Sequence, residues 1–329
     1  MITTAMIKKV KWNKMSVLYI VVPCYNEQEV LGETNRRLTE KLSYMIADGL
    51  CSEKSRILYV DDGSKDATWP LIGKLHRENE LVCGLKLAHN RGHQNALYAG
   101  LMTARNFADC VVSMDADLQD DIDVLDKFMD KFTNEGCDIV YGVRSSRDTD
   151  TFFKKTTAQG FYKMMKLLGV ETVYNHADYR LMSKRAVDAL AQYDEVNLFL
   201  RGIVPDIGFK SDCVYYERHE RFAGESKYPL KKMLSFAMQG VTSFSVKPLT
   251  MITALGVIIA VLSCIGLFAS AVTAFFNLSA ASVMLILATV WLACAVLMIC
   301  MGVVGEYIGK IYSEVKHRPK FIPESFLKR

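Results

Sequence analysis

Asp115 and Asp117 stand two residues apart at the end of an apolar run, in the segment MDADLQDD. In an extended chain, residues i, i+2 and i+4 share one face, so Asp115, Asp117 and Gln119 point together. Two carboxylates on one face repel unless a cation lies between them. Mg²⁺ takes one or two carboxylates and completes its shell with water and substrate phosphates, so this spacing suits a metal-diphosphate site. A solvated acidic turn is the plainer reading, because Asp120, Asp121 and Asp123 continue the charge. A second acidic pair, Asp61-Asp62, precedes Gly63-Ser64. Side chains of this type can hydrogen-bond a ribose or a base edge, and Gly63 permits close backbone approach. An ordinary turn with Asp66 capping a helix fits equally. Pro23, Tyr25, Asn26 and Glu27 close another apolar run, where Tyr25 can stack on a base or simply fill a turn before a helix capped by Asn26.

Those polar groups need elements to hold them. Short β-rich runs cover residues 17–22, 56–60, 81–88, 110–114 and 138–143. Helical patterns separate them: one after Asn26, one from Asp66 to about 79, one over 92–107 and one over 123–134. Strand-helix alternation predicts an α/β domain with a mostly parallel sheet and helices on both faces. Each polar motif falls just after a strand, where ligands bind in open α/β sheets. No G-x-G-x-x-G follows the first strand and no G-x-x-x-x-G-K-[ST] occurs, which excludes a P-loop NTPase and disfavours a dinucleotide oxidoreductase.

The 329 residues are 50% hydrophobic and 23% charged. The apolar surplus is concentrated. Between Lys247 and Glu306 there is no Asp, Glu, Lys, Arg or His. The runs 249–276 and 280–304, broken at Asn277, are each long enough to cross hydrocarbon, which takes about 20 residues. They predict a transmembrane hairpin over 248–305. Lys231, Lys232 and Lys247 flank the first run, and Lys310, Lys316, Arg318 and Lys320 follow the second. The positive-inside rule then places both termini in the cytoplasm. The N-terminus has no apolar h-region, so a cleaved signal peptide is not expected. Leu230, Met233, Leu234, Ala237 and Met238 recur at helical spacing opposite Lys231 and Lys232, which reads as an interfacial amphipathic helix over 226–247 or as a plain linker helix. Residues 306–329 read as a cytosolic basic tail. Net charge is only +4, with no basic stripe for nucleic acid. None of the nine cysteines forms a C-x-x-C pair, so they read as free thiols.

VVPCYNEQE, YVDDGSKDAT, LAHNRGHQNAL and MDADLQDD, followed by RFAGESKY and two apolar spans, resemble in order the polyprenyl-phosphate glycosyltransferases of the inverting GT-A family. The resemblance covers nearly the whole chain. One departure is Asp121-Ile122-Asp123 where the family usually has Pro after DADLQD. It implies a cytosolic GT-A (nucleotide-diphospho-sugar transferase) domain over 1–225, a plasma-membrane location and transfer of a hexose to polyprenyl phosphate. Pro23, Tyr25, Glu27, Asp62, Asn90 and Asp115 would line the nucleotide sugar. Asp115, Asp117 and Gln119 would hold Mg²⁺ or Mn²⁺. Arg144, Arg147, Lys154, Lys155, Ser226 and Lys227 would meet the acceptor phosphate, with Asp117, Asp178 and Arg221 catalytic. The basic residues among these also suit a membrane-facing surface, and Asp178 suits a salt bridge to Arg180. UDP-glucose is the expected donor, with GDP-mannose, UDP-N-acetylhexosamine and an amino-arabinose donor as alternatives. The expected partners are the nucleotide sugar, the lipid phosphate and the membrane, with the spans as a surface for homo-oligomers.

The chemistry agrees with that implication. An acceptor phosphate monoester has a second pKa of about 6 and is largely ionised at neutral pH, so no strong general base is required. His89 and His93 then read as helix-entry residues lining the cleft. A processive polysaccharide synthase would want a Q-x-x-R-W box, which the chain lacks. A non-catalytic scaffold would fit the loss of Asp117 or Asp62, and both are present. A flippase would need polar groups within the spans.

Overall fold

The computed structural model describes residues 15–145, 176–196, 199–217 and 279–329. Chain order within them is β1 (Leu18–Cys24), α1 (Leu31–Ala47), β2 (Arg56–Asp61), α2 (Thr68–Glu78), β3 (Val82–Leu87), α3 (His93–Ala104), β4 (Cys110–Ser113), α4 (Val124–Thr133) and β5 (Ile139–Arg144). There follow β6 (His176–Ser183), α5 (Lys184–Leu190), α6 (Leu200–Asp206), β7 (Ser211–Tyr216), α7 (Ser279–Val315) and β8 (Pro323–Leu327).

Among the described residues, eight strands form one sheet in the order β7-β5-β6-β4-β1-β2-β3-β8. β1 pairs in parallel with both β2 and β4, and β2 with β3. The five strands expected from the sequence are all present. β6 runs antiparallel between β4 and β5, and β7 lies parallel to β5. The sheet is thus mostly parallel with an antiparallel insertion beside β4, next to the DADLQD segment.

The strands are apolar on both faces because helices cover both. Along β1, Leu18, Ile20, Val22 and Cys24 face a core with α1, α2 and α4, while Tyr19 and Val21 face a core with α3, α5 and α6. Every residue of β1 is buried. This is why its sequence reads as a continuous run rather than an alternation. α3 lies very close to the sheet. A Cβ at Gly100 would stand 2.3 Å from Val21 Cγ1 and 2.8 Å from Val60 Cγ2, so only glycine fits there.

Two expectations change, and a third, the hairpin, falls partly outside the described residues. The tail over 306–329 is not a separate element: Pro323–Leu327 pairs antiparallel with β3 and closes that sheet edge. Phe326 stacks near Phe107 with ring centroids 6.1 Å apart, and Lys86 pairs with Glu324 at 2.8 Å. Asn26 does not cap α1. It adopts φ 53, and its Oδ1 accepts from Lys65 N at 2.9 Å, tying the β1 loop to the β2 loop. The hairpin is not displayed. α7 spans the second apolar run, but counted over the described residues no helix is long and apolar enough to cross a membrane. The first run and the segment 226–247 lie outside the described residues.

Candidate active site

The carboxyl ends of β1, β2 and β4 bring their loops together. Asp62 N donates to Cys24 O at 2.9 Å, and Glu27 N donates to Thr68 Oγ1 at 2.9 Å. Thr34 Oγ1, from α1, donates to Ala116 O at 2.7 Å and ties that helix to the DADLQD turn. Asp62 is buried. Its Oδ1 accepts from Arg91 N at 2.7 Å and its Oδ2 from Gly92 N at 2.9 Å. Burial raises its pKa, against the pull of those two amides. Asp62 therefore shapes the 89–92 loop whatever else it contacts. Gly63 (φ +67) lies against the same loop, and a Cβ there would stand 2.7 Å from Asn90 N. Asn90 is exposed on the rim, Tyr25 and Glu27 are half-buried, and Pro23 is buried. Among the described residues, two buried polar atoms here, Asp61 Oδ2 at the end of β2 and Arg91 Nε in the loop after β3, have no hydrogen-bond partner.

After β4 the backbone turns instead of staying extended. Leu118 has φ 58, and Gln119 N donates to Asp117 Oδ1 at 3.2 Å. The expected alternation nonetheless survives in burial: Asp115, Asp117 and Gln119 are half-buried, while Met114, Ala116, Leu118 and Asp120 are buried. Burial raises the Asp115 pKa. His93 lowers it, and the Asp178 and Asp117 carboxylates add to the rise. An acidic group raised partly by its own acidic neighbours is a set of oxygen donors short of positive charge. It fits a hard divalent cation. The grouping Glu135, Cys137 and Asp212 also has oxygen and sulfur donors close together, but Lys131 is already paired there with Asp212 at 2.5 Å and Glu135 at 3.3 Å.

β6 delivers Asp178 beside this array. Its Oδ1 accepts from Arg180 Nη2 at 2.8 Å and from Arg201 Nε at 3.3 Å, and its Oδ2 accepts from Arg201 Nη2 at 3.0 Å. Burial would push its pKa up, but the Arg201 and Arg180 guanidinium groups hold it well below the usual carboxylate range. Asp178 is a fixed anion and a poor proton acceptor. His93 Nε2 lies 3.8 Å from Asp178 Oδ2 and 3.6 Å from Asp115 Oδ1, bridging the two carboxylates.

Arg144 is not an open surface cation. Its Nη2 lies 3.5 Å from Asp120 Oδ1, and its Nε donates to Tyr216 OH at 3.4 Å. Tyr216 OH donates to Asp120 Oδ1 at 2.5 Å. Burial and the Asp115 charge push Asp120 up to about 6, with Arg144 opposing them. Arg147, Lys154, Lys155, Arg221, Ser226 and Lys227 lie outside the described residues.

Arg201 and the bridging position of His93 are the parts of the site that the motifs did not show. His93 lies inside LAHNRGHQNAL, but its partners belong to β6 and the β4 turn. Arg201 stands in an unremarkable FLRG sequence with no spacing signal.

Set against known proteins, residues 19–191 match the model of glycosyl transferase family 2. The chain belongs to this family. It is a family 2 glycosyltransferase, and its α/β sheet with the DADLQD turn after β4 is the family's GT-A fold. Similar curated proteins align over almost their full length. The chain is 56% identical to the uncharacterized glycosyltransferase YkoT of Bacillus subtilis (strain 168), covering 93% of this chain and 90% of that protein. It is 37% identical to a prophage bactoprenol glucosyl transferase homolog of Escherichia coli (strain K12), covering 92% and 97%. A bactoprenol glucosyl transferase of Shigella phage SfV is also 37% identical, covering 92% and 96%. Among solved structures, glucosyl-3-phosphoglycerate synthase from Mycobacterium tuberculosis with Mn²⁺, UDP and phosphoglyceric acid is 16% identical. That alignment covers 69% of this chain and 76% of that one at a TM-score of 0.43.

Proposed function

We propose that this family 2 enzyme transfers a hexose, with glucose from UDP-glucose as the leading candidate, to a polyprenyl phosphate such as undecaprenyl phosphate at the cytosolic face of the plasma membrane. The observation that carries the reading is the carboxylate array of Asp115, Asp117 and Asp178 at the carboxyl end of β4, bridged by His93. Near-full-length similarity to bactoprenol glucosyl transferases supports the lipid acceptor and the glucosyl group.

Asp115, Asp117 and Gln119 would hold Mg²⁺ or Mn²⁺. When bound, the cation neutralises the charge that develops on the nucleotide diphosphate leaving group. The loops after β1, β2 and β3, the last held by Asp62, form the floor for the nucleotide, with Pro23, Tyr25, Glu27 and Asn90 around it. Asp178 does not take a proton. Its two arginines fix it as an acceptor for a sugar hydroxyl and as an orienting charge for His93. The acceptor phosphate brings its own ionised oxygen, so in-line attack at the anomeric carbon inverts configuration. Arg144, Arg147, Lys154, Lys155, Ser226, Lys227 and Arg221 are proposed to steer the anionic headgroup.

The membrane hairpin over 248–305 rests on the charge-free sequence. β8 is compatible with that topology. This strand follows α7 and pairs with β3, so the chain after the second apolar run lies on the same side as the catalytic sheet. An even number of crossings satisfies that arrangement, with the turn at Asn277 on the far side. Cysteine accessibility at Asn277 and near Arg329 checks it: labelling of both from one side of the membrane overturns the hairpin.

The function is tested with the full chain in membranes, undecaprenyl phosphate and a panel of radiolabelled nucleotide sugars. A glucosyl lipid formed from UDP-glucose, and lost in EDTA, is the expected result. Transfer from GDP-mannose, UDP-N-acetylhexosamine or an amino-arabinose donor instead replaces the sugar assignment. No labelled lipid from any donor overturns the reading.

A further inference from the structure

α6 contributes a residue to the site from outside every strand-end motif. Arg201 spans both oxygens of Asp178, with Nε at 3.3 Å from Oδ1 and Nη2 at 3.0 Å from Oδ2. Arg180 reaches Oδ1 alone, at 2.8 Å. The two arginines differ in position. The Arg180 side chain is 2% accessible and forms the floor beneath Asp178, whereas that of Arg201 is 32% accessible and borders the cleft.

The rest of the geometry leaves Asp178 one freedom to lose. Its backbone is already fixed, because β6 pairs with β4 and Ser113 Oγ donates to Asp178 O at 2.5 Å. What remains is rotation of the carboxylate. A single donor on Oδ1 leaves the second oxygen free to swing. A planar guanidinium on both oxygens does not. Arg201 is itself placed by two contacts at the start of α6. Leu200 N donates to Gln94 Oε1 at 2.9 Å, and Arg180 Nη1 donates to Leu200 O at 3.4 Å. Gln94 is the neighbour of His93, which lies 3.8 Å from Asp178 Oδ2. The N-terminal turn of α3 therefore sets both the residue that faces Asp178 and the helix that clamps it.

We infer that Arg201 is a positioning residue for sugar transfer: it locks the Asp178 carboxylate in the orientation that serves the sugar and His93, an inference that rests on the glycosyl-transfer reading of this site. Arg201 acts through Asp178 and is not assigned to the diphosphate or to the lipid phosphate. Its loss should reduce turnover while leaving donor binding intact, because the nucleotide floor belongs to the loops after β1, β2 and β3.

The test uses the full-length chain in detergent with UDP-glucose and undecaprenyl phosphate. Arg201→Gln should lower kcat by about 10- to 150-fold, the range expected for a hydrogen bond to a charged group. The KM for UDP-glucose should stay within about twofold, the pattern of an interaction realised in the transition state. Arg201→Lys keeps the charge and loses the fork, so it should fall between Gln and wild type. Arg201→Ala should regain measurable turnover with added ethylguanidinium, because that ion returns the planar fork the substitution removes. A residue that only stabilises the fold would show recovery of the unfolding temperature and of turnover together, whereas a positioning residue recovers turnover in a variant that is already folded. Thermal unfolding of each variant separates misfolding from lost positioning. If wild type transfers glucose while Arg201→Gln keeps its kcat, or if the Ala variant ignores ethylguanidinium, this inference alone is overturned. If wild type transfers from no donor, the transfer reading is overturned and this inference with it.

Discussion

Asp62 and Asp178 are carboxylates at the ends of neighbouring parts of one sheet, and the protein treats them in opposite ways. Asp62, in the parallel part, is held by the backbone amides of Arg91 and Gly92, and burial leaves its pKa raised. Asp178, in the antiparallel insertion, is held by two guanidinium groups, which drive its pKa down. Amides are neutral donors that fix a loop without supplying a full charge. Arginines supply both geometry and charge. The first arrangement suits a carboxylate that shapes a binding surface, and the second a permanent negative charge beside a reacting sugar. A buried carboxylate's role follows from what donates to it, not from its strand-end position.

The sharpest way to break this contrast is to remove Asp178. Asp178→Ala leaves the buried Arg180 without its counter-ion, which should cost about 3–5 kcal/mol in denaturant unfolding. A loss below about 1 kcal/mol would show that Arg180 finds another anion and that the clamp is not a buried ion pair. Asp62→Ala should cost less, about 1–3 kcal/mol, because the amides of Arg91 and Gly92 lose their acceptor at a partly solvated loop. It should also raise the KM for the nucleotide sugar more than it lowers kcat. An unchanged donor KM would separate Asp62 from the nucleotide floor.

The pH dependence should separate the same two groups in metal-free buffer. Asp178 has a folded pKa below its unfolded value. Its contribution is therefore present at neutral pH and lost as pH falls below about 4, where the unfolded group protonates. Asp62 has a folded pKa above its unfolded value, so acidification from neutral pH first relieves the cost of its buried charge. Unfolding curves of Asp178→Asn should lose part of the acid limb, whereas those of Asp62→Asn should keep it. The smallest effect belongs to the sheet edge where β8 joins β3. The Lys86–Glu324 pair is exposed, so Glu324→Gln should change stability by less than about 1 kcal/mol. A larger loss would mean that β8 is held by charge rather than by its strand pairing and by Phe326.

The local sequence determined where the first five strands lie and the polar segments that end them, because a buried strand and the loop after it are contiguous in the chain; the order of the strands in the sheet came only with the tertiary structure. The runs at 17–22, 56–60, 81–88, 110–114 and 138–143 correspond to β1–β5. The accessible set Asp115, Asp117 and Gln119 was legible for the same reason, although the backbone there turns at Leu118. Tertiary structure alone decided the partners. Arg201 reaches Asp178 across 23 positions, and Lys86 meets Glu324 across 238. Neither separation leaves a periodic trace. A guanidinium finds a carboxylate, and a bare strand edge finds a strand, only after the sheet has formed and the helix α6 and the segment after α7 have packed against it. The apolar runs at 249–276 and 280–304 show the converse: their composition is plain in the sequence, and it needs no tertiary contact to be read.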